Sequence, residues 1–142
     1  MITAIEIIKA ITDQIRSSFP DAAVYSDNTK ETFESGSFFI EIAGDYSSTI
    51  GTSYTDDNLT IRITYFAFDN KQFKMLIKVR ETLRNMFQFG LSVNETFHIT
   101  LEDVLMFTVT SDNNLECLLP LHYVQEIPEA DGEFIEDVEI NL

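Results

Sequence analysis

The sequence predicts an α+β domain in which two helices pack on one face of a mostly antiparallel sheet of about five to six strands. Two segments with helical periodicity, residues 3–19 and 71–89, alternate with two groups of three short segments that read as strands. That order is expected when short strands form antiparallel pairs and helices cover one face. A chain of 142 residues suits a single domain with a substantial core. We assign residues 1–127 to this domain and residues 128–142 to an acidic C-terminal tail.

The first helix is predicted from its caps and its apolar spacing. Thr3 and Glu6 fit a capping box, and Pro20 disfavours helical geometry at Phe19. The predicted buried face consists of Ile5, Ile8, Ile11, Ile15 and Phe19, with Ala4, Ile7 and Thr12 at its margins.

Two strands and a long connection are predicted next. Residues 22–26 form a short strand candidate, and Ser37–Ala43 alternates with Phe38, Ile40 and Ile42 on one face. Residues 44–58 are rich in Ser, Thr, Gly and Asp, so we expect a long loop of the kind that is either functional or disordered in isolation. Its second part, around Tyr54, is a candidate hairpin arm that extends the following strand.

The central strand and helix have the cleanest patterns in the chain. Leu59–Phe68 alternates with Ile61, Ile63 and Tyr65 on one face, and Asp69 and Asn70 offer a cap where the period changes. Gly90 follows the helix, as a C-terminal glycine commonly does. The predicted buried arc of this helix is wide and consists of Phe73, Leu76, Ile77, Val79, Leu83, Met86 and Phe87.

The remaining segments predict a three-stranded meander of residues 97–101, 104–111 and 115–124. Pro120 cannot donate to a ladder, so its strand should be at an edge or bulged there. The last fifteen residues contain six acids but still alternate at Val138, Ile140 and Leu142. This composition fits a docking tail and a disordered tail about equally well.

The charge of the chain is both large and uneven. The formal net charge is −15, yet residues 71–90 carry five bases and one acid, and residues 91–142 carry twelve acids and no Lys or Arg. This balance disfavours binding to DNA or to anionic membranes. The basic face of the second helix is either a solvated surface or a complement to an acidic neighbour.

No pattern in the sequence indicates catalysis, a metal or a cofactor. His98 and His122 belong to no ligand pair and are interpreted as structural or surface residues. Cys117 has apolar neighbours and no nearby base, as expected of a buried thiol. The acidic pairs are interpreted as solvated turn residues; they are Asp56-Asp57, Glu102-Asp103 and Glu136-Asp137. The amino-terminal segment is not a signal peptide, and no apolar run is long enough to span a bilayer. We therefore expect a soluble protein made in the cytoplasm.

Several segments carry a resemblance to a known family. They are Ser18-Phe19-Pro20, SFFIEI at 37–42, a polar loop with Gly51 and Tyr54, IRITYF at 61–66, EDVLMF at 102–107 and EDVEIN at 136–141. In this order the chain resembles the small tail terminator (tail completion) proteins of phages and phage-like contractile particles of Gram-positive bacteria. One departure is that residues 54–57, YTDD, are acidic where similar proteins are often basic.

The resemblance implies a structural virion protein with no catalytic activity and no cofactor. It would form a ring, expected to be a hexamer, that caps the tail tube, stops polymerisation of tube or sheath and provides the head–tail or collar joining surface. Its partners would be copies of itself, the tube protein, the sheath and connector proteins, with DNA at most passing through the lumen and no membrane. It would be assembled in the bacterial cytoplasm and reside in the virion tail or tail-like particle. The candidate subunit-interface residues are Lys71, Lys74, Lys78, Tyr54, Asp56, Asp57, Glu136 and Asp137.

Two other hypotheses remain open. The chain could be an interaction module that binds a partner through a sheet edge and residues 44–58. An enzyme would instead require a pocket that converges on His98, His122 or Cys117.

Overall fold

The computed structural model describes residues 1–26, 33–68 and 73–128, and it confirms the α+β class. These ranges contain the elements α1 (Ala4–Ser18), β1 (Val24–Tyr25), β2 (Phe38–Ile50), β3 (Tyr54–Tyr65), α2 (Phe73–Phe87), β4 (Leu91–Ser92), β5 (His98–Ile99), β6 (Met106–Val109) and β7 (Leu115–Glu126). A five-stranded sheet has the order β1-β2-β3-β7-β6, and all its pairs are antiparallel except β1–β2. β4 and β5 form a separate two-stranded sheet.

The core lies on one face of the five-stranded sheet. In β3 and β7 the buried apolar side chains alternate with less buried ones, as expected when a single face is covered. The buried side chains of both helices belong to the same cluster, so both helices cover that face. The buried strand residues of this cluster are Phe38, Ile40, Leu59, Ile61, Ile63, Tyr65, Leu91, Ile99, Leu115, Cys117, Leu119 and Leu121.

The first helix has the predicted caps, and its buried face differs from the prediction at Ile5 and Ile7. Thr3 and Glu6 form the capping box, and Phe19 is the C-cap. The fully buried residues are Ile7, Ile11 and Ile15, whereas Ile5 is 79% exposed. The predicted placement of Ile5 was wrong because isoleucines occupy so much of the first two turns that spacing alone could not select the stripe that packs.

The predicted loop at residues 44–58 is instead a long β-hairpin. β2 continues to Ile50, a turn at 51–53 follows, and β3 begins at Tyr54. The suggested hairpin arm around Tyr54 is therefore confirmed, and the loop is not. The apolar alternation is missing because every residue of β2 from Ile42 to Ile50 is exposed, so neither face had to be apolar.

The second helix also has a narrower buried face than predicted. Leu76, Val79, Leu83 and Phe87 are buried, and Met86 is half-buried. The remaining predicted members, Phe73 and Ile77, are exposed. The caps proposed at Asp69 and Asn70 lie outside the described residues.

Gly90 ends the second helix as predicted. It has a φ of +106° and donates its backbone N–H to the Phe87 carbonyl. A Cβ at this position would lie 1.9 Å from the Ile99 carbonyl oxygen, so the close approach of β5 to the end of α2 requires glycine.

The predicted three-stranded meander is only partly correct. β6 and β7 form the expected hairpin, whereas β5 pairs with β4 and does not join the main sheet. The strand pattern at 97–101 could not reveal this partner because β4 has only two residues. Pro120 lies beyond Leu118, the last residue of β7 that pairs with β6, so this part of β7 is an edge as predicted.

The corrected face of α1 can be tested with a matched pair of substitutions. Replacing Ile11 by Ala should lower the free energy of unfolding by about 2–5 kcal/mol, because it removes a fully buried side chain and leaves a cavity. Ile5→Ala, on the exposed face, should change it by less than about 0.5 kcal/mol. Urea unfolding followed by circular dichroism measures both values. Equal losses from the two variants would contradict the observed face.

Candidate subunit interface

A three-stranded arm extends beyond the part of the sheet whose side chains are fully buried, and its Tyr123 packs against the edge of the core. We define the arm as residues 44–58 of the β2–β3 hairpin together with residues 122–126 of β7, which pair with β3. Its exposed side chains include Tyr46 (70% exposed), Ile50 and Tyr54 (46% exposed). Large apolar side chains that stay exposed on an ordered element commonly mark a contact surface.

A β-bulge keeps the two faces of the arm continuous with those of the sheet. Ile42 pairs with Ile61 and Gly44 with Thr60, so Ala43 is the extra residue. The face of the sheet that the helices cover, which we call the core-side face, therefore continues along the arm through Asp57 and its cross-strand neighbours. We call the opposite face, which carries no helix, the open face.

The open face of the arm combines apolar and acidic side chains. Residues that pair directly across an antiparallel ladder share a face. Ile50, Tyr54 and Glu126 form one such row at the tip of the arm. Asp56 lies on the same face, two residues along β3 from Tyr54.

His122 joins two carboxylates on this open face. Its Nε2 lies 2.5 Å from Asp56 Oδ1, and its Nδ1 lies 2.8 Å from Glu102 Oε2. Because ionised carboxylates only accept hydrogen bonds, both ring nitrogens must donate, which requires the protonated imidazolium. The hydrogen bond to Glu102 and then the one to Asp56 raise the pKa of His122 above its ordinary value. The cluster ties the turn at Glu102 to the arm.

The interpretation of the acidic pair Asp56-Asp57 as turn residues was wrong, because both lie within β3. Asp57 is on the core-side face, where its Oδ2 accepts from Thr55 Oγ1 at 2.8 Å and from Gln125 Nε2 at 3.4 Å. Gln125 Oε1 in turn accepts the Ile2 backbone N–H at 2.8 Å. Asp57 therefore helps to hold the amino-terminal segment against the arm.

The basic residues of α2 divide into two groups. Arg80 and Arg84 both contact Glu81, at 2.6 and 3.3 Å, and Arg80 also lies 5.1 Å from the centre of the Phe107 ring. Lys74 and Lys78 are exposed, and no carboxylate within the described ranges forms an ion pair with either of them. Two positive charges on the outer surface of α2 are thus left without a partner among the residues that the structure describes.

The predicted interface residues lie on separate surfaces. Tyr54 and Asp56 are on the open face of the arm, whereas Lys74 and Lys78 are on a helix that covers the opposite face of the sheet. The structure does not bring these two sets together within one chain. Lys71, Glu136 and Asp137 lie outside the described residues.

The residues that an enzyme would need are dispersed. Cys117 is fully buried, and burial raises the pKa of its thiol to about 12. His98 contacts Ser92 Oγ and the Phe89 carbonyl, and it shares neither of these partners with His122. A groove of about 530 Å³ at the end of α1 is lined by none of these three residues. Within residues 1–26, 33–68 and 73–128, no three His, Cys, Asp or Glu side chains are grouped as metal ligands.

Sequence reasoning missed the cluster of His122, Asp56 and Glu102. It interpreted the histidine as structural or surface-exposed, but it identified neither carboxylate as a partner. The three residues are far apart in the sequence, and only the pairing of β3 with β7 brings two of them together. No periodic signal in one strand could have revealed this register.

Comparison with known proteins identifies the family. A family model described as phage tail terminator protein matches residues 6–133, which is most of the chain. The chain belongs to the phage tail terminator family. Membership implies a structural, non-enzymatic role in a phage tail and interaction with other tail components. No curated protein matches the chain.

The matched region includes the whole arm and both helices except the first residues of α1. Neither helix of the described part is long and apolar enough to cross a membrane.

The His122 cluster predicts a specific pH dependence of stability. Because the folded-state pKa of His122 is raised, its contribution is fully present below the ordinary histidine pKa and is lost as pH rises through the folded value. His122→Gln should remove this pH-dependent loss of unfolding free energy. We expect the loss to be about 1 kcal/mol or less because the His122 side chain is partly exposed. Unfolding free energies measured from pH 6 to 9 test this, with His98→Gln as the control. Parallel pH profiles for wild type and His122→Gln would contradict the assignment.

Proposed function

We propose that the chain assembles into a ring, a hexamer in the simplest case, that caps the end of the tail tube. The ring would stop polymerisation of the tube and sheath and would form the surface that joins the tail to the head or collar. The observation that carries this proposal is the projecting arm, whose three strands pair with one another yet expose Tyr46, Ile50 and Tyr54 to solvent. Family membership supports a role in the tail.

A ring requires head-to-tail contacts between two different surfaces of identical subunits. The chain offers an open face with apolar and acidic residues on its arm. On the other side of the sheet it offers a helix with two exposed lysines that pair with no carboxylate of the described ranges. Tyr54 and Asp56 would belong to the first surface, and Lys71, Lys74 and Lys78 to the second. Opposite charges on separate surfaces favour copies that meet in one orientation.

The remaining partners follow from this role. The tube protein would bind one rim of the ring, and sheath or connector proteins the other. The excess of acidic residues would let DNA pass through the lumen without binding, since like charges repel. Assembly would take place in the bacterial cytoplasm, and the mature protein would reside in the virion tail or tail-like particle.

A second candidate function is a monomeric module that captures a partner strand. The outer edge of β2 from residue 40 to residue 50 pairs with no strand in the described part of the chain. Such an edge can accept an added strand from a partner. This candidate predicts one-to-one complexes, whereas the ring predicts higher oligomers of the chain itself.

The arm should contribute to assembly and not to the stability of the subunit. Replacing Tyr46, Ile50 and Tyr54 together by Ser should weaken association of copies at least about tenfold, because each removes an exposed apolar contact. The unfolding midpoint should change little. Light scattering and negative-stain microscopy, with and without tail tubes, measure the assembly.

The matched control is Met106→Ser, an exposed residue of β6 outside the arm, which should leave assembly unchanged. Rings that form normally from the triple variant would disprove the role of the arm. A protein that stays monomeric at all concentrations and on tubes would disprove the ring.

A further inference from the structure

The second helix carries an apolar and basic stripe that faces away from the core. Phe73 (70% exposed) and Ile77 (42% exposed) are one turn apart and therefore lie on the same side of the helix. Lys74 and Lys78 follow them directly in the sequence and are also exposed. We call Phe73, Lys74, Ile77 and Lys78 the outer stripe of α2.

The outer stripe fits a ligand that is itself both apolar and acidic. Two apolar side chains on a helix that already buries another face offer area for a further contact. The two lysines would attract carboxylates next to that contact. A purely polar or a basic partner would leave one half of the stripe unmatched.

A segment of the chain itself has this composition. Residues 134–140 read FIEDVEI, with three acids among four apolar residues and no base. We propose that this segment of one copy binds the outer stripe of α2 on an adjacent copy. The inference rests on the proposed ring, and it specifies which segments of neighbouring subunits meet.

The geometry favours a neighbouring copy over the same chain. The C-terminal end of β7 is fixed at the tip of the arm, where the Ile127 backbone N–H donates to the Ser53 carbonyl at 2.7 Å. From there the chain can span at most about 32 Å before Glu136.

The outer stripe begins near the other end of the sheet. Met75 and Val79 of α2 line a groove with Tyr65, the last residue of β3. β3 runs from Tyr54 at the tip to Tyr65, which at 3.3 Å per residue is roughly 36 Å, and the helix layer adds about 10 Å across the sheet. Residues 134–140 could therefore reach the outer stripe of their own chain only if the residues between Ile127 and Glu136 were almost fully extended. A second copy is not subject to this limit.

Disulfide trapping between two full-length variants tests the contact. One variant carries Ile77→Cys and the other Val138→Cys; the native Cys117 is buried, and burial raises the pKa of its thiol to about 12, so it should not react. Mixing the two under mild oxidation should give a cross-linked heterodimer on a non-reducing gel. Adding Lys74→Glu and Lys78→Glu to the first variant should lower the yield roughly tenfold.

The control for charge is Lys9→Glu, an exposed lysine of α1, which should leave the yield unchanged. A synthetic peptide of residues 129–142 in excess should compete with the cross-link, and the same peptide with its acids changed to Gln or Asn should compete less. No heterodimer, or a bond that forms only within a chain carrying both Ile77→Cys and Val138→Cys, would overturn the inference.

The two proposals can fail separately. Rings that cap tubes but give no heterodimer would refute the contact and leave the proposed function standing. Heterodimers from a protein that never binds tubes would support the contact and refute the capping role.

Discussion

The ladder between β3 and β7 is the constraint on which the rest of the structure depends. Its register runs without interruption from Tyr65↔Leu115 to Tyr54↔Glu126. At the first end the paired side chains face the helices and are buried, whereas at the other they are part of the arm. One set of backbone hydrogen bonds therefore supports both the hydrophobic core and a projecting surface. The helices need to cover only half of the sheet, and the other half remains available to partners.

The core was predictable from sequence where burial gives the apolar side chains of a strand or helix a regular spacing. The alternation of Ile61, Ile63 and Tyr65 and the capping box of α1 were correct because each depends on neighbours within one segment. The arm was not predictable from apolar alternation, since side chains that meet water on both faces need no such pattern. The pairing of β5 with β4 and the choice of buried residues on α1 depend on contacts between different segments. The periodicity within one segment does not encode such contacts.

For the candidate site, the composition of the sequence indicated which segments carry charged surfaces. It did not indicate which of their side chains contact one another. The excess of bases on α2 was visible in the sequence. Only the structure separates Arg80 and Arg84, which contact Glu81, from Lys74 and Lys78, which pair with no carboxylate in the described part of the chain. Asp56 and Asp57 are adjacent in sequence but lie on opposite faces, because successive residues of a strand point in opposite directions. Asp57 accepts a hydrogen bond from Gln125, which binds the backbone of Ile2, whereas Asp56 binds His122. Whether a charged surface residue is available to a partner therefore depends on the contacts that it already makes within its own chain.

The exposure of the arm also affects how its sequence can change over time. Because β2 from Ile42 to Ile50 contributes no buried side chain, substitutions there should have little effect on the free energy of unfolding. Backbone amides near the tip should exchange with solvent faster than those beside the core, since local opening costs less where few apolar contacts are lost. The arm can therefore diverge to follow a changing partner while the helices and the proximal strands keep the fold. Selection on stability and selection on assembly act on different ends of the same three strands.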